Sequence, residues 1–491
     1  MNLAMLLEMV AQAAPERVAV SNGVSQLTYG ELYERAGHYA AALTDQGLTA
    51  ACYLGINSPD AVALMFGASL AGVPYAPLNY RWTAEQLGEA LGRIAPAVVL
   101  TDPDCRSRIP SLPGVTPLEA PPDGATAAGV VPDEESTAVL LFTSGTSGTP
   151  KAAVLRNRHL VPYVLETVSF LNADADEAIL VSVPPYHIAA ISSVLTSVYA
   201  GRRMVQLPSF NPTQWVSLVR EERVTQAMVV PTMLNRILDQ VEADGDGLPH
   251  LRHLSYGGGR MPGAVVERAM RLLPHVDLVN AYGLTETSST ITLLSPDDHR
   301  QAAASGDPAV RARLGSVGRA LPSVAIEIRD DDGQLVPAGV VGEIWVRGDQ
   351  VSGEYLSHHT IQSGGWFPTR DHGYLDAAGF LYLQGRIDDV IVRGGENLSP
   401  GEIEDRLVEH ETISEAAVVG VPDLEWGERV EAFVVPAAGR EIEPTQLQEW
   451  VRTALRSTRV PTAIHVVDEL PYNETGKLLR RELRARLASV S

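Results

Sequence analysis

At 491 residues the chain exceeds the size at which a single core stops growing, so two or more domains are expected. With 45% apolar and 20% charged residues it sits at the globular average, which excludes long disorder. Its 38 basic and 60 acidic residues give a formal net charge of −22, which argues against a nucleic-acid or anionic-membrane surface. Any anionic ligand must then be held by a local device, such as backbone amides or one well-placed cation.

The N-terminal "MNLAMLLEMVAQAAPERVAV" has no basic start and is interrupted by Glu8, so it reads as an amphipathic first helix and not a signal peptide. Two capping boxes follow, Thr28-x-x-Glu31 and Thr83-x-x-Gln86, each ahead of apolar residues at helical spacing. Cys52 and Cys105 lie far apart with no metal-type spacing, which predicts two free thiols in a reducing, cytoplasmic compartment. Short apolar runs at 97–102, 138–143, 178–185 and 227–232 alternate with helices, the pattern of parallel sheets buried on both faces. Residues 102–136 are rich in Pro, Gly and Ser and read as a surface connection.

After about residue 310, "VAIEIRD", "GEIWVRG" and "GFLYLQGR" predict short strands of a β subdomain. From 387 a small unit of helices and strands follows. The expected fold is therefore α/β: a large N-terminal domain, 1–386, of parallel-type sheets plus a β subdomain, then a small α+β C-terminal domain, 387–491. No apolar stretch approaches the roughly 18 residues of a membrane span.

The most informative line is "LLFTSGTSGTPKAAVL", residues 140–155. A buried strand runs into a loop of Thr, Ser and Gly that ends in Pro150-Lys151. Glycines let backbone amides turn toward an anion, hydroxyls add donors, and the lysine supplies a mobile point charge. It is not a Walker A loop, because Pro150 precedes the lysine and Ala152 follows it. The lysine is also rare: the chain contains only Lys151 and Lys477.

"FTSGTSGTPKAAV" closely resembles the phosphate-loop signature of the adenylate-forming (AMP-binding) superfamily, which holds acyl- and aryl-CoA synthetases, peptide-synthetase adenylation domains and beetle luciferases. The resemblance continues in order through "PPYHIAAI" (184–191), "SYGGGRMP" (255–262), "NAYGLTET" (280–287), "GEIWVRG" (342–348), "GWFPTRDHGYLD" (365–376), "GRIDDVIVRGGENLSPGEIE" (385–404) and "LPYNETGKLLR" (470–480).

The resemblance implies a reaction in two halves. A carboxylate attacks the α-phosphorus of Mg·ATP, giving acyl-AMP and pyrophosphate; a thiol then displaces AMP. The first half is mostly a problem of charge neutralisation and placement. Thr143, Ser144, Gly145, Thr146, Gly148 and Lys151 would hold the β- and γ-phosphates. Glu286, with Thr146, would meet Mg²⁺, and Thr285 the α-phosphate. Tyr282 would stack on adenine, with Gly258, Gly259 and Arg260 on its other side and Asn280, Ala281 and Gly283 in the same strand end. Asp371 would accept from the ribose hydroxyls, with Arg386 nearby. Lys477 would lie between the substrate carboxylate and the α-phosphate, a place that suits one compact ammonium donating in several directions.

The C-terminal domain would turn about Asp388 between the half-reactions. Gly394 and Gly395 would then pass the pantetheine arm of CoA, with Trp426 flanking it. His187 would gate the acyl pocket, walled by Ile188, Ala189, Gly259, Ala281, Ser288 and Ser289. His187 stands where amino-acid-activating relatives carry an Asp, so a hydrophobic fatty or aryl acid is expected. The expected function is an AMP-forming carboxylic acid:CoA ligase using ATP, Mg²⁺ and CoA. A homodimer is left open, and a carrier-protein phosphopantetheine is the alternative acceptor.

Two departures bear on these expectations. The segment that usually reads Thr-Gly-Asp is Thr369-Arg370-Asp371, and "STRVPTAIHV" keeps Arg459 but has Thr462 where a base is common. The basic tail 476–491 would supply the missing charge for CoA or form a solvated helix face.

Overall fold

The computed structural model describes residues 1–119, 133–144, 150–259, 261–386, 389–394, 396–473 and 478–488. The chain opens as its apolar spacing predicts. Asn2 caps the helix Leu3–Ala13 by accepting from the Met5 amide at 3.1 Å, and Leu3, Leu6, Leu7 and Val10 are fully buried along one face. Both predicted capping boxes are present, ahead of the helices Tyr29–Leu43 and Ala84–Arg93. Each box satisfies two amide groups that a helix terminus leaves bare.

Two open sheets dominate the first part of the chain. In the six-stranded sheet, Val115–Pro117, Ala97–Thr101, Ala50–Leu54, Tyr75–Leu78 and Thr137–Ser144 run parallel in that order. Pro150–Arg156 closes its edge antiparallel to Thr137–Ser144. In the nine-stranded sheet, a parallel block of Val18–Ser21, Arg203–Gln206, Ala178–Val181, Gln226–Val229, His253–Gly257 and Asp277–Leu284 is flanked by antiparallel edges. The helices Leu3–Ala13, Tyr29–Leu43, Pro59–Ala71 and Ile188–Ala200 share one core with both sheets, through Tyr53 and Tyr75 of the first and Val20 and Met204 of the second. Fully burying one such leucine stabilises the fold by about 2 kcal/mol.

The surface-connection reading of 102–136 is corrected in part. Pro103–Arg108 is a 3₁₀ turn, and Val115–Pro117 adds an edge strand beside Ala97–Thr101. Three residues of strand amid Pro and Gly are too short to show a period. Both cysteines are buried and free, as predicted.

Beyond residue 310, Ala325–Arg329, Gly342–Arg347, Phe367–Leu375 and Leu381–Arg386 form a four-stranded antiparallel sheet. Its inner face packs against Tyr282 and Ile291 through Ile328, Ile344 and Leu381. A five-stranded sheet follows, built on the hairpin Ile413–Asp423 and Gly427–Pro436. Alternation along the hairpin divides it between two cores: Val418 meets the helices Pro400–Val408 and Pro444–Arg452, whereas Val419 meets Leu483 of the helix Arg480–Ala488. Among the described residues, no helix is long and apolar enough to cross a membrane.

Candidate active site

Parallel pairing aligns strand ends. Ala178–Val181, Gln226–Val229, His253–Gly257 and Asp277–Leu284 all finish on one side of the nine-stranded sheet, where open α/β sheets bind ligands. The predicted residues His187, Gly258, Gly259 and Glu286 follow three of these ends, and Asn280, Ala281, Tyr282 and Gly283 form the end of the strand that Glu286 follows. A separate segment brings in the phosphate loop. Thr143 lies opposite Lys151 in the hairpin that the loop joins, and Thr143 Oγ1 donates to the Lys151 carbonyl at 3.4 Å. Gly145, Thr146 and Gly148 lie outside the described residues, as does the side chain of Ser144. No carboxylate among the described residues pairs with the Lys151 ammonium.

A strap that sequence reading missed joins this hairpin to Glu286. The Ser352 and Gly353 amides donate to the Glu286 carbonyl at 2.8 and 3.2 Å. The next residues run along the phosphate strand: the Val154 amide donates to Glu354 O at 2.9 Å, and the Leu356 amide to Ala152 O at 3.0 Å. Arg156 locks the strap with a two-pronged ion pair to Glu354, at 2.9 and 2.6 Å. Tyr355 then donates its phenol proton to Glu286 Oε1. Burial and the Glu286 charge push that phenol's pKa well up, while Arg386 and the Thr143 hydroxyl act the other way. The phenol therefore stays a donor through the neutral range.

Arg386 links this group to a second one. The Tyr282 hydroxyl donates to Asp371 Oδ2 at 2.7 Å, and Arg386 Nε donates to Asp371 Oδ1 at 3.1 Å. Asp371 and Arg386 are direct cross-strand partners. Burial, then Asp371, raises the Tyr282 phenol well above its ordinary value. Asn280 is buried and gives its Nδ2 to the Ser316 carbonyl at 3.1 Å, so that amide braces the strand end.

Between Thr369 and Asp371, Arg370 has φ 62°, the left-handed region that costs a side chain about 1–2 kcal/mol. This explains why a glycine suits the place. Arg370→Gly is expected to raise stability by about 1 kcal/mol after its larger unfolded-state entropy is allowed for, read as a higher melting temperature.

On the acyl side, His187 Nδ1 accepts the Ala189 amide at 3.2 Å, at the start of the helix Ile188–Ala200. Burial pushes its pKa down to about 4, so the ring is neutral at pH 7 with its proton on Nε2. Ile188 and Ala189 are buried. Ser289 Oγ donates to Ser192 Oγ at 3.1 Å, which donates to Ala189 O at 3.1 Å. The predicted wall thus includes a bonded pair of hydroxyls. Ser288 and Ser289 have φ 56° and 117°, a strained turn directly after Glu286 and Thr287.

Behind the phosphate strand, His159 is 3% exposed, accepts the Arg156 amide at 3.2 Å, and has its pKa lowered by burial to about 4. The unfolded chain takes up this proton first, so the stabilisation is complete above about pH 6.5 and is lost as pH falls toward 4. The expected loss across that window is on the order of 2 kcal/mol, and His159→Gln should flatten the slope of unfolding free energy with pH there.

In the C-terminal unit the structure brings Gly394 and Trp426 together. Gly394 has φ 59°, donates its amide to Trp426 O at 2.7 Å, and a Cβ there would lie 3.0 Å from the indole. Trp426 itself is 44% exposed. Arg459 is paired with Glu402 at 2.6 Å, and Arg480 with Glu404 and Asp389. The tail's charge is thus partly neutralised within the unit. Lys477 lies outside the described residues, as do Arg260, Asp388 and Gly395.

Two large sheets meeting at a glycine- and hydroxyl-rich hairpin, beside an aromatic–carboxylate–arginine cluster, define a nucleotide-using α/β enzyme. The sequence models described as "AMP-binding enzyme" and "AMP-binding enzyme C-terminal domain" match residues 7–356 and 402–477. The chain belongs to the AMP-binding enzyme family. It is similar to fatty acid–[acyl-carrier-protein] ligase ScoC of Streptomyces coeruleorubidus, at 31% identity over 97% of this chain and 94% of that one. It is equally similar to feruloyl-CoA synthase of an Amycolatopsis species, at 31% identity over 97% of each. Among solved structures it resembles o-succinylbenzoate coenzyme A synthetase of Bacillus subtilis in complex with ATP and magnesium ion, with a TM-score of 0.82, 28% identity, and 98% and 99% of the two chains covered.

Proposed function

We propose that this protein is an ATP-dependent, AMP-forming carboxylic acid:CoA ligase that activates a hydrophobic fatty or aryl acid through its acyl-adenylate. The observation that carries the reading is the convergence of Thr143, Lys151, Tyr355 and Glu286 with the Tyr282–Asp371–Arg386 cluster. Family membership and the named activities of the relatives support it.

Lys151 and the Thr143 hydroxyl would hold the β- and γ-phosphates, Tyr282 the base, and Asp371 with Arg386 the ribose. The donor set fits magnesium carried in with the nucleotide. Glu286 offers a hard carboxylate oxygen, and among the described residues no group of three or more His, Cys, Asp or Glu side chains could cage a metal alone. Bound there, the ion would neutralise phosphate charge. The neutral His187 ring would border the acid without adding a charge that an apolar acid does not need. Lys477 would bridge the carboxylate and the α-phosphate. Residues 387–491 would then turn about Asp388 and bring Gly394, Gly395 and Trp426 to the thiol.

A second reading, transfer to a carrier-protein phosphopantetheine, has its own support. Arg459 is already committed to Glu402, and Thr462 offers no charge for the 3′-phosphate of CoA. Pyrophosphate release from ATP, measured across aliphatic and aryl acids with and without CoA, tests both. Acid-dependent release with a thioester formed only when CoA is present supports the ligase. Adenylate that CoA leaves untouched moves the acceptor to a carrier protein, and no release with any acid removes both readings.

A further inference from the structure

We propose that Tyr355 is a positioning residue that sets the enzyme's affinity for magnesium by fixing the Glu286 carboxylate. The inference rests on the reading of Glu286 as the carboxylate that meets the metal.

Glu286 is held at both ends by one strap. Its carbonyl accepts the Ser352 and Gly353 amides, and its Oε1 accepts the Tyr355 phenol proton. With Oε1 engaged, the carboxylate cannot spin freely about its last torsion, and Oε2 remains for a ligand. Magnesium demands near-ideal geometry and sheds water reluctantly, so a pre-aimed oxygen matters more to it than to a larger cation. Outer-sphere hydrogen bonds of this kind are worth about 10–100-fold in metal affinity or activity.

The phenol is itself positioned from several sides. Its ring stacks on His358 with centroids 4.9 Å apart. Its main chain forms a bridge to Ala153, and the Glu354–Arg156 pair fixes the strap to the strand that carries Lys151. Ser352 Oγ adds a bond to the Val154 carbonyl. The hairpin that would hold the phosphates and the carboxylate that would hold the metal are therefore built as one unit, with Tyr355 at the joint. A residue that only filled space would not need its hydroxyl on Glu286.

The test titrates Mn²⁺ as a paramagnetic probe, then Mg²⁺, into enzyme with ATP, following bound metal by electron spin resonance and calorimetry. AMP binding without metal is measured in parallel. Tyr355→Phe removes one oxygen and is expected to weaken metal binding by about 10-fold or more. AMP affinity should stay within about twofold, because the ribose and base contacts are untouched. Glu354→Gln, which loosens the strap without touching Glu286, should weaken metal binding in the same direction by a smaller factor. Unchanged metal titrations in both variants, or metal and AMP affinity falling together, would overturn the proposal. Glu286→Gln separates the two levels. If it abolishes metal binding while Tyr355→Phe leaves it unchanged, only the positioning role fails; if it changes nothing, the reading of Glu286 fails.

Discussion

Replacing Lys477 with alanine is expected to slow acyl-adenylate formation by on the order of 10²–10³. The reason is electrostatic. A carboxylate and a triphosphate repel, and the proposed ammonium would touch both as charge moves between them. Thioester formation from supplied acyl-adenylate should stay within about twofold of the parent, because the proposed rotation removes Lys477 from that half-reaction. Lys477→Arg should recover only part of the loss, since a planar guanidinium prefers a fixed fork geometry. Single-turnover pyrophosphate release and thioester formation, followed separately, read the two halves. Equal losses in both would remove Lys477 from the adenylation step and reduce it to a structural role.

A methyl group at Gly283 should be nearly as damaging, for a different reason. A Cβ there would sit 1.7 Å from the Ser289 carbonyl oxygen and 2.6 Å from its carbon. Both obstacles are backbone, so no rotamer change relieves them. The strand must move, and the turn beside it has little slack, with Ser288 and Ser289 already at φ 56° and 117°. Gly283→Ala is expected to cost more than about 3 kcal/mol, at the upper end of overpacking. The shift would carry Glu286, three residues on, away from the phosphate hairpin, and a displacement near 1 Å costs about 10² in rate. Gly263→Ala is the control: it starts the helix Gly263–Leu272 and a Cβ there meets nothing within 4 Å. Thermal melting and acid-dependent pyrophosphate release should leave the control intact. A Gly283→Ala protein that melts and turns over normally would show that the crossing relaxes easily.

What could be read in advance followed the range of the interaction. Thr28 with Glu31 and Thr83 with Gln86 are four-residue patterns, and both boxes formed. The strands near 97, 138, 178 and 227 declared themselves as apolar runs because they are buried on both faces. Their order was hidden, since Val18–Ser21 pairs with Arg203–Gln206 across most of the domain. In the site, Tyr282 and Asp371 were each legible from a local motif, but not the 2.7 Å bond between them, which spans 89 residues. Tyr355 escaped altogether. It lies in "GEYLSHH", a stretch without periodicity, and its importance comes from what the strap touches. Arg370 stood out as a departure from Thr-Gly-Asp, yet only its positive φ explains why glycine belongs there.

The hairpin form of the phosphate loop bears on the order in which products leave. After the loop the described chain resumes as the strand Pro150–Arg156 and not as a helix, so no helix dipole follows directly behind it. In the proposed reading, that end of the nucleotide is gripped by hydroxyls, loop amides and one lysine. The other end faces Tyr282, Asp371 and Arg386, braced by two sheets. On that reading, once the nucleotide is split the half held by the loop would depart first and the adenosine half would linger. Pyrophosphate would be the early product and AMP the late one, and AMP would be the stronger inhibitor of the next cycle.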